Sequence, residues 1–352
     1  MKASASALAP LHPARRPHAS AERGLGIAWL LMVAVFGCWL VGSRPLHIGS
    51  DTETYAGFFE SLDQGVPETR LEPGFAYLSY GLRLLGLGVP GYQAVLFALL
   101  LAAVAIAVRV NHRAFPPTKA YATLLCASLL LLFISPMFVN ASINAIRQGL
   151  AAPLVFAALL SFQQRRWWGF VLLGALAASL HVSSLLYLAC APALLLRPNL
   201  LRTLAALAFL AYASGLSMKG VAAVSPALYT TVMEYTANDN YRAGVRIDFA
   251  VFTMFWYVLM LAVSPWVQAG ARKPLQDGAS VYLVMVLPFF AIGWGYFSNR
   301  YLLPGWLAVS LILAAACCYS RLAPLRQPLL LGAGLAAACG VLFFYVSRGI
   351  VI

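Results

Sequence analysis

A series of apolar runs constrains this chain more than any other feature of its sequence. The runs are separated by short polar segments and lie at about 25–41, 91–108, 120–138, 141–162, 168–182, 183–196, 203–217, 249–269, 280–298, 301–319 and 328–347. Most are long enough to cross the ~30 Å hydrocarbon core of a bilayer as helices. Only 10% of the residues are charged and 62% are hydrophobic, whereas charged residues approach about a quarter of a soluble domain. The sequence therefore predicts an all-α, polytopic transmembrane helical bundle.

The apolar region 168–196 decides between ten and eleven spans, because it is long for one helix and short for two. Basic residues at span ends mark the cytoplasmic side, but here they discriminate poorly between the two counts. Nine of the eleven acidic residues share one face with His181 and Arg300 only if the chain crosses twice, so we expect about eleven spans. We expect a disordered cytoplasmic tail, 1–23, and then a single transmembrane domain, 24–352, with outer loops near 43–90 and 218–248.

The first outer loop contains an acidic segment, residues 50–77, which holds six of the eleven Asp and Glu residues of the chain. Asp51 and Glu53 stand two residues apart and are followed by Tyr55 and two phenylalanines. Such a pair of carboxylates can take a proton from an attacking hydroxyl, or hold a divalent cation beside a diphosphate. The alternative is a solvated loop whose acids keep it outside the membrane.

A polar group opens the predicted span at 141–162 and consists of Asn140, Asn144, Arg147 and Gln148. Spacings of four and three residues predict that the first three share one helix face. An ionisable residue at the mouth of a span usually faces a cavity or a partner. The alternative is an interfacial anchor, but an anchor needs no neighbouring amides. We therefore predict that this group binds substrate, with the planar guanidinium of Arg147 holding phosphate oxygens.

His181 interrupts the apolar region 168–196 and has serines on both sides. Its polar neighbours indicate a break where the chain turns at the outer face. A histidine there could donate to a phosphate or sugar oxygen, or shuttle a proton. The alternative is a structural histidine that is hydrogen-bonded to the nearby hydroxyl groups.

Two further polar groups follow. The second outer loop offers Tyr235, Asp239 and Tyr241 for contacts with a sugar, although tyrosines are also common interfacial residues at membrane edges. Arg300 stands between two apolar spans with almost no loop. Because a charge in that position is expensive to leave unpaired, we expect Arg300 to have a buried partner.

Several classes of protein are excluded by the pattern. The formal net charge is +13, but the basic residues cluster at span ends, which is how membrane topology is specified, so no nucleic-acid partner is expected. All six cysteines lie inside apolar runs and predict neither a disulfide framework nor a metal site. The common motifs of soluble hydrolases, nucleotide-binding enzymes and zinc proteases do not occur in a suitable context.

Three groups of short motifs follow one another along the chain. They are DTETY at 51–55 with EPGF at 72–75, then IRQGLA at 146–151, then HVS at 181–183. In their order and spacing they resemble the EpsG family of bacterial exopolysaccharide polymerases. The motifs carry the resemblance over about residues 25–200. After residue 200 it rests mainly on the hydropathy of the chain and on the Asn-Arg-Tyr cluster at 299–301.

The resemblance implies a Wzy-like, GT-C-type membrane glycosyltransferase of the bacterial inner membrane; the basic residues of the 1–23 tail separately predict a cytoplasmic N-terminus. Its substrate would be undecaprenyl-diphosphate-linked oligosaccharide repeat units, joined on the outer face. Further partners would be the lipid bilayer, a flippase, and chain-length or export proteins. Carried onto this chain, Asp51 or Glu53 would be the base, Arg147 and Arg300 would bind diphosphate, and His181 and Glu72 would position groups or relay protons. No cofactor is required, although a divalent cation at Asp51 and Glu53 remains an alternative.

Two other functions fit a membrane protein of this kind. A transporter or flippase of the lipid-linked glycan would tend to have repeated halves and charges near mid-membrane. This chain has no visible internal repeat, and its charges gather on one face. A membrane transferase that decorates the polymer would need its own donor site, whereas the predicted cytoplasmic loops are short and basic.

Overall fold

The computed structural model describes residues 17–234 and 242–349, and within it the side chains from residue 24 onward. The described residues form sixteen α-helices: α1 (Pro17–Gly42), α2 (Thr52–Glu60), α3 (Pro73–Leu84), α4 (Val89–His112), α5 (Tyr121–Phe133), α6 (Pro136–Ile143), α7 (Ile146–Gln163), α8 (Trp167–Leu180), α9 (Ser184–Ala189), α10 (Pro198–Ala213), α11 (Leu216–Val224), α12 (Pro226–Glu234), α13 (Ile247–Val263), α14 (Ala269–Ile292), α15 (Leu303–Cys318) and α16 (Pro328–Arg348). Short 3-10 helices cover Ser61–Gln64, Ala191–Leu195, Ser264–Trp266, Ser298–Tyr301 and Pro324–Arg326.

The predicted all-α, polytopic membrane architecture is confirmed, but the count of eleven spans is not. Among the described residues, six helices are long and apolar enough to cross a membrane: Gly24–Gly42, Val89–His112, Ile146–Gln163, Ile247–Trp266, Ala269–Ile292 and Pro328–Arg348. The number rises to eight if each of two sharply bent helix pairs is one span. The remaining apolar helices, Trp167–Leu180, Ser184–Leu195 and Leu303–Cys318, are shorter.

The region 168–196 contains two helical segments separated at His181. α8 ends at Leu180, and His181 has an extended backbone with φ −157° and ψ 115°. The second segment, Ser184–Leu195, is an α-helix continued by a 3-10 helix and is only about 18 Å long at the α-helical rise. A helix of that length does not cross ~30 Å of hydrocarbon, so the predicted span 183–196 has no full-length counterpart.

The predicted spans at 120–138 and 141–162 also differ from the structure. α5 and α6 meet at an angle of 86°, and Ser135 is extended between them because the residue before a proline disfavours the helical region. A second break falls at Asn144 and Ala145, before α7 begins. Asn140 therefore belongs to α6 and Arg147 to α7, and the prediction that they share one helix face is wrong.

α7 is the central helix of the bundle. Every residue from Gln148 to Phe162 is buried, which fits a helix that is apolar on all sides. It packs against α4, α8, α14 and α15. α6 crosses close to its first turn: a Cβ on Gly149 would collide with the carbonyl of Ala141. Glycine at this position allows the α6–α7 break to sit tightly against the start of the central helix.

The acidic segment lies at one end of the bundle, which we call the acidic end. Thr52 Oγ1 donates to the carbonyl of Ile143 over 3.2 Å, so the start of α2 is attached to the α6–α7 break. The tail predicted for residues 1–23 is described only from Pro17, where α1 begins. The predicted second outer loop, 218–248, contains α11 and α12 up to Glu234.

Candidate functional site

A buried carboxylate, Glu72, organises the acidic end. Its side chain is only 9% exposed. Oε1 accepts hydrogen bonds from His181 Nδ1 over 2.9 Å and from the backbone amide of Val182 over 3.0 Å. Oε2 accepts a hydrogen bond from Arg147 Nη1. Three segments that are distant in sequence therefore meet at one carboxyl group.

The sequence around Glu72 explains how it reaches this position. Glu72 has an extended backbone, and Pro73 starts α3 directly after it, as proline favours the first turn of a helix. A Cβ on Gly74 would meet the backbone oxygen of Ser179 at 2.5 Å. Glycine thus lets the start of α3 lie against the end of α8, which brings Glu72 beside His181.

Glu72 is held as a carboxylate. Burial by itself raises the pKa of this carboxyl group, but hydrogen bonds from His181 and the Val182 amide, together with the charge of Arg147, outweigh burial and lower the pKa to about 2. An ionised carboxylate only accepts hydrogen bonds. His181 Nδ1 must therefore carry a proton, and Nε2 is the ring nitrogen left to accept or release one.

Arg147 connects Glu72 with the acidic helix α2. Its Nε donates to the hydroxyl of Tyr55 over 3.2 Å, while Nη1 donates to Glu72. Nη2 makes no hydrogen bond to a described residue, and the Arg147 side chain is 23% exposed. Burial raises the pKa of Tyr55, so its hydroxyl keeps its proton. Nε and Nη1 are thus both held by protein groups, and Nη2, which lies between them on the guanidinium, is left for a ligand.

Asp51 and Arg300 form a second, looser pair. Arg300 Nη2 lies 3.8 Å from Asp51 Oδ2, and both side chains are more than a third exposed. The guanidinium of Arg300 lies over the ring of Phe297, 4.5 Å from its centroid. Gln148 Nε2 donates to the backbone carbonyl of Arg300, so α7 fixes the turn that carries this arginine. The sequence predicts a buried partner for Arg300, but the partner in the structure, Asp51, is 36% exposed and the pair is open to solvent.

The two pairs belong to one site. Tyr55 lies within electrostatic range of Arg147, Asp51 and Arg300, and the first two residues of α7 after Ile146 contact Glu72 and the Arg300 turn respectively. We call the group formed by Asp51, Tyr55, Glu72, Arg147, His181 and Arg300 the arginine–carboxylate cluster. It combines two guanidinium groups, an exposed carboxylate and a histidine at one end of a membrane bundle.

The amides that accompany Arg147 lie at the α6–α7 break. Asn144 Nδ2 donates to Asn140 Oδ1 over 3.2 Å. Asn144 Oδ1 and Gln148 Oε1 are buried without a hydrogen-bond partner among the described residues. Unpaired buried amide oxygens are uncommon in proteins. They are buried acceptors that lie beside the cluster.

Glu53 is not part of the cluster. Residues 52–60 form α2, and side chains two residues apart on a helix do not face each other. Glu53 is exposed and makes no hydrogen bond or ion pair with the described residues. The part of the chain that the structure describes also contains no group of three His, Cys, Asp or Glu side chains placed to hold a metal ion. Tyr235, Asp239 and Tyr241 lie outside the described residues.

Arg44 is a functional candidate that the sequence analysis missed. It follows α1, is only 6% exposed, and donates to Val41 O over 2.6 Å and to Thr52 Oγ1 over 3.3 Å. Burial lowers the pKa of Arg44 to about 10. Thr52 follows Asp51 directly, so Arg44 helps to fix the turn that carries the exposed carboxylate. A lone arginine followed by Pro45 at the end of the first span was the available signal.

The chain was compared with family models, curated proteins and solved structures. A sequence model described as the EpsG family matches residues 27–346, which is nearly the whole chain and extends well past the part in which the motifs were recognised. No match was found among curated proteins or among solved structures.

Proposed function

Because the chain belongs to the EpsG family, we propose that it is a polymerase of lipid-linked oligosaccharide repeat units in exopolysaccharide, capsule or O-antigen biosynthesis. The proposed substrate is an undecaprenyl-diphosphate-linked glycan on the outer face of the bacterial inner membrane. The observation that carries the proposal is the arginine–carboxylate cluster. It offers binding groups for a diphosphate and a carboxylate base together at the acidic end of the bundle.

The two arginines support binding of the leaving group. A glycosyl diphosphate carries several anionic oxygens, and guanidinium groups bind such oxygens with paired hydrogen bonds. Arg147 is oriented by Glu72 and Tyr55 and has Nη2 left for a ligand. Arg300 is held only loosely by Asp51, at 3.8 Å, so it can turn to a phosphate without breaking a close ion pair. Preorganised charge of this kind stabilises the negative charge that develops on a leaving group.

In the proposed reaction, a hydroxyl oxygen of one lipid-linked unit attacks the anomeric carbon of the growing chain. A new glycosidic bond forms, the bond from the anomeric carbon to the diphosphate oxygen breaks, and the carrier diphosphate leaves. Asp51 takes the hydroxyl proton, since its carboxylate is exposed and general-base catalysis needs direct reach to the reacting group. His181, whose Nδ1 is held by Glu72, presents Nε2 for a proton or a phosphate oxygen. Glu72 itself is a positioning residue.

Asp51→Asn tests this assignment in a strain that lacks the chromosomal gene. We expect polymer formation to fall by roughly 10²–10⁴-fold, the usual contribution of a general base, and single repeat units on the lipid carrier to accumulate at the outer leaflet. Glu68→Gln is the matched control, because Glu68 is an exposed acid of the same segment and lies outside the cluster. The measurement is the size distribution of lipid-linked and released glycans, with the amount of membrane protein held equal.

Two outcomes would contradict the proposal. Normal polymer from Asp51→Asn would remove Asp51 from the reaction. Repeat units stranded at the inner leaflet would instead indicate that the protein moves the glycan across the membrane.

A further inference from the structure

An apolar cleft opens between the α5–α6 bend, α13 and α15. Its volume is about 350 Å³, which falls within the roughly 300–1,000 Å³ of typical ligand pockets. The lining residues come from the α5–α6 bend, from α13 and from α15; among them are Met137, Phe252, Trp256, Trp306, Ser310 and Leu313. None of the described residues that line it is charged.

The cleft exists because one wall is interrupted. α5 packs against α15 and ends at Phe133, and α6 leaves at 86°, so α5 does not continue along α15 past Ile134. α13 stands on the other side and packs against α14 and α15. Ile134 and Phe252 are 41% and 40% exposed. The cleft is therefore open toward the lipid-facing side of the bundle.

The aromatic wall of the cleft is rigid. Trp306 Nε1 donates to Thr253 Oγ1 over 3.1 Å, and the Trp306 ring makes edge-to-face contacts with Phe249 and Phe252, each at 5.5 Å between centroids. The carbonyl of Thr253 in turn accepts a hydrogen bond from the hydroxyl of Tyr282 over 2.8 Å. These contacts hold the indole in place and prevent it from collapsing into the open space.

Two elements lead from the cleft to the cluster. α15 begins at Leu303, directly after the turn that carries Arg300, and Trp306 lies on its first turn. α6 begins at Pro136 in the cleft wall and ends at Ile143, beside the Asn144 amide; its eight residues cover about 12 Å at the α-helical rise. A molecule with an anionic head at the cluster can therefore place an apolar tail in the cleft.

We propose that this cleft binds the polyisoprenoid chain of the lipid carrier, an inference that rests on the proposed function. A cleft of about 350 Å³ has room for part of one chain, whereas a phospholipid carries two acyl chains. The facing aromatic rings suit the methyl-branched, unsaturated surface of an isoprenoid. The two guanidinium groups bind the diphosphate of the carrier. The isoprenoid chain in the cleft then determines how deep in the site the sugar–diphosphate bond lies and how it is oriented.

A photoreactive probe tests the proposal on the full-length protein in lipid nanodiscs. The probe is an isoprenyl phosphate with a diazirine near the end of its chain, and the comparison probe is a phospholipid with a diazirine in one acyl chain. We expect the isoprenyl probe to label residues of the cleft. Ser310→Phe and Leu313→Trp both fill the cleft and should each reduce labelling about tenfold, as expected for the loss of a few buried methylene contacts. Leu329→Trp is the control, because Leu329 is 86% exposed on α16, and it should leave labelling unchanged.

A kinetic comparison gives a second readout. Ser310→Phe should raise the KM for units on a long polyisoprenoid carrier about tenfold with kcat unchanged. It should change the KM for units on a carrier of two isoprene units much less, because so short a chain buries little apolar surface in the cleft.

The outcomes separate this inference from the proposed function. Labelling spread evenly over the lipid-facing helices, or equal labelling of the cleft by the phospholipid probe, would overturn the inference even if the protein forms polymer. Labelling needs no turnover, so a labelled cleft in a protein that forms no glycosidic bond would support the inference on binding and overturn the proposed reaction.

Discussion

Glu72→Gln is expected to reduce polymer formation to about one hundredth of the wild-type rate or less, although the two side chains have nearly the same shape. In the wild type all three donors around Glu72 point at carboxylate oxygens. A glutamine must turn its NH₂ group toward Arg147 or toward His181 and the Val182 amide, so a donor faces a donor in either orientation. Removal of one charged partner from a buried ion pair commonly destabilises a protein by about 3–5 kcal/mol. The orientation of Arg147 and His181 is lost at the same time.

The measurement is the rate of polymer formation by purified protein in liposomes, compared with that of Glu68→Gln in the same acidic segment. Thermal unfolding of both variants reports whether the fold is retained. Activity of Glu72→Gln equal to that of Glu68→Gln would show that Glu72 does not position the cluster.

We expect the loss of stability in Glu72→Gln to depend on pH. The folded-state pKa of Glu72, about 2, lies below its ordinary value of 4.5. The stability that the ionised carboxylate contributes is therefore complete above about pH 4.5 and is lost as the pH falls toward 2. The shift corresponds to something on the order of 3 kcal/mol. We expect the difference in Tm between wild type and Glu72→Gln to be largest near neutral pH and to shrink between pH 4.5 and pH 2; a constant difference would contradict the assignment.

Arg147→Lys is expected to lower kcat/KM for lipid-linked units by about a hundredfold, despite the retained charge. The guanidinium spans Tyr55 and Glu72 with two nitrogens and keeps a third for the ligand. A lysine ammonium is a point charge without that planar geometry. It can approach Glu72, but it cannot at the same time contact the tyrosine hydroxyl and bind a phosphate oxygen. We expect most of the loss in kcat, because the proposed role is stabilisation of the leaving diphosphate.

Arg83→Lys is the matched control for this prediction. Arg83 also pairs with a carboxylate of the acidic segment through two nitrogens, at 2.6 and 2.8 Å from Asp63, but Asp63 is 64% exposed. Exposed ion pairs contribute little, so we expect activity within about twofold of wild type. Equal activities of Arg147→Lys and Arg83→Lys would argue against a role for the planar guanidinium group of Arg147.

The apolar runs predict the class of fold and the break at His181, because both depend on local composition. They do not determine the number of spans. Ser184–Leu195 is as apolar as a membrane span but too short to cross the membrane. The polar residues before it are held by tertiary contacts, which a hydropathy pattern does not contain. The bend at Pro136 has a local signal in the proline, whereas the break at Asn144 depends on α6 packing against Gly149.

Some of the site residues also have a local signal in the sequence, whereas others depend on tertiary contacts. Asp51, Arg147, His181 and Arg300 stand out in the sequence as polar groups beside apolar runs, and the structure brings them together. The central role of Glu72 depends on the close approach of Gly74 to Ser179, which is a tertiary contact. The sequence pairs Glu53 with Asp51 by their spacing in a predicted loop, whereas the helix from Thr52 onward points the two side chains in different directions.

The proposed polymerase activity is tested most directly by counting products in liposomes that contain the purified protein and lipid-linked repeat units. The proposal predicts one molecule of carrier diphosphate released for each new glycosidic bond, with both products falling together in Asp51→Asn and unchanged in Glu68→Gln. Transfer of intact repeat units between leaflets without release of carrier diphosphate would contradict it.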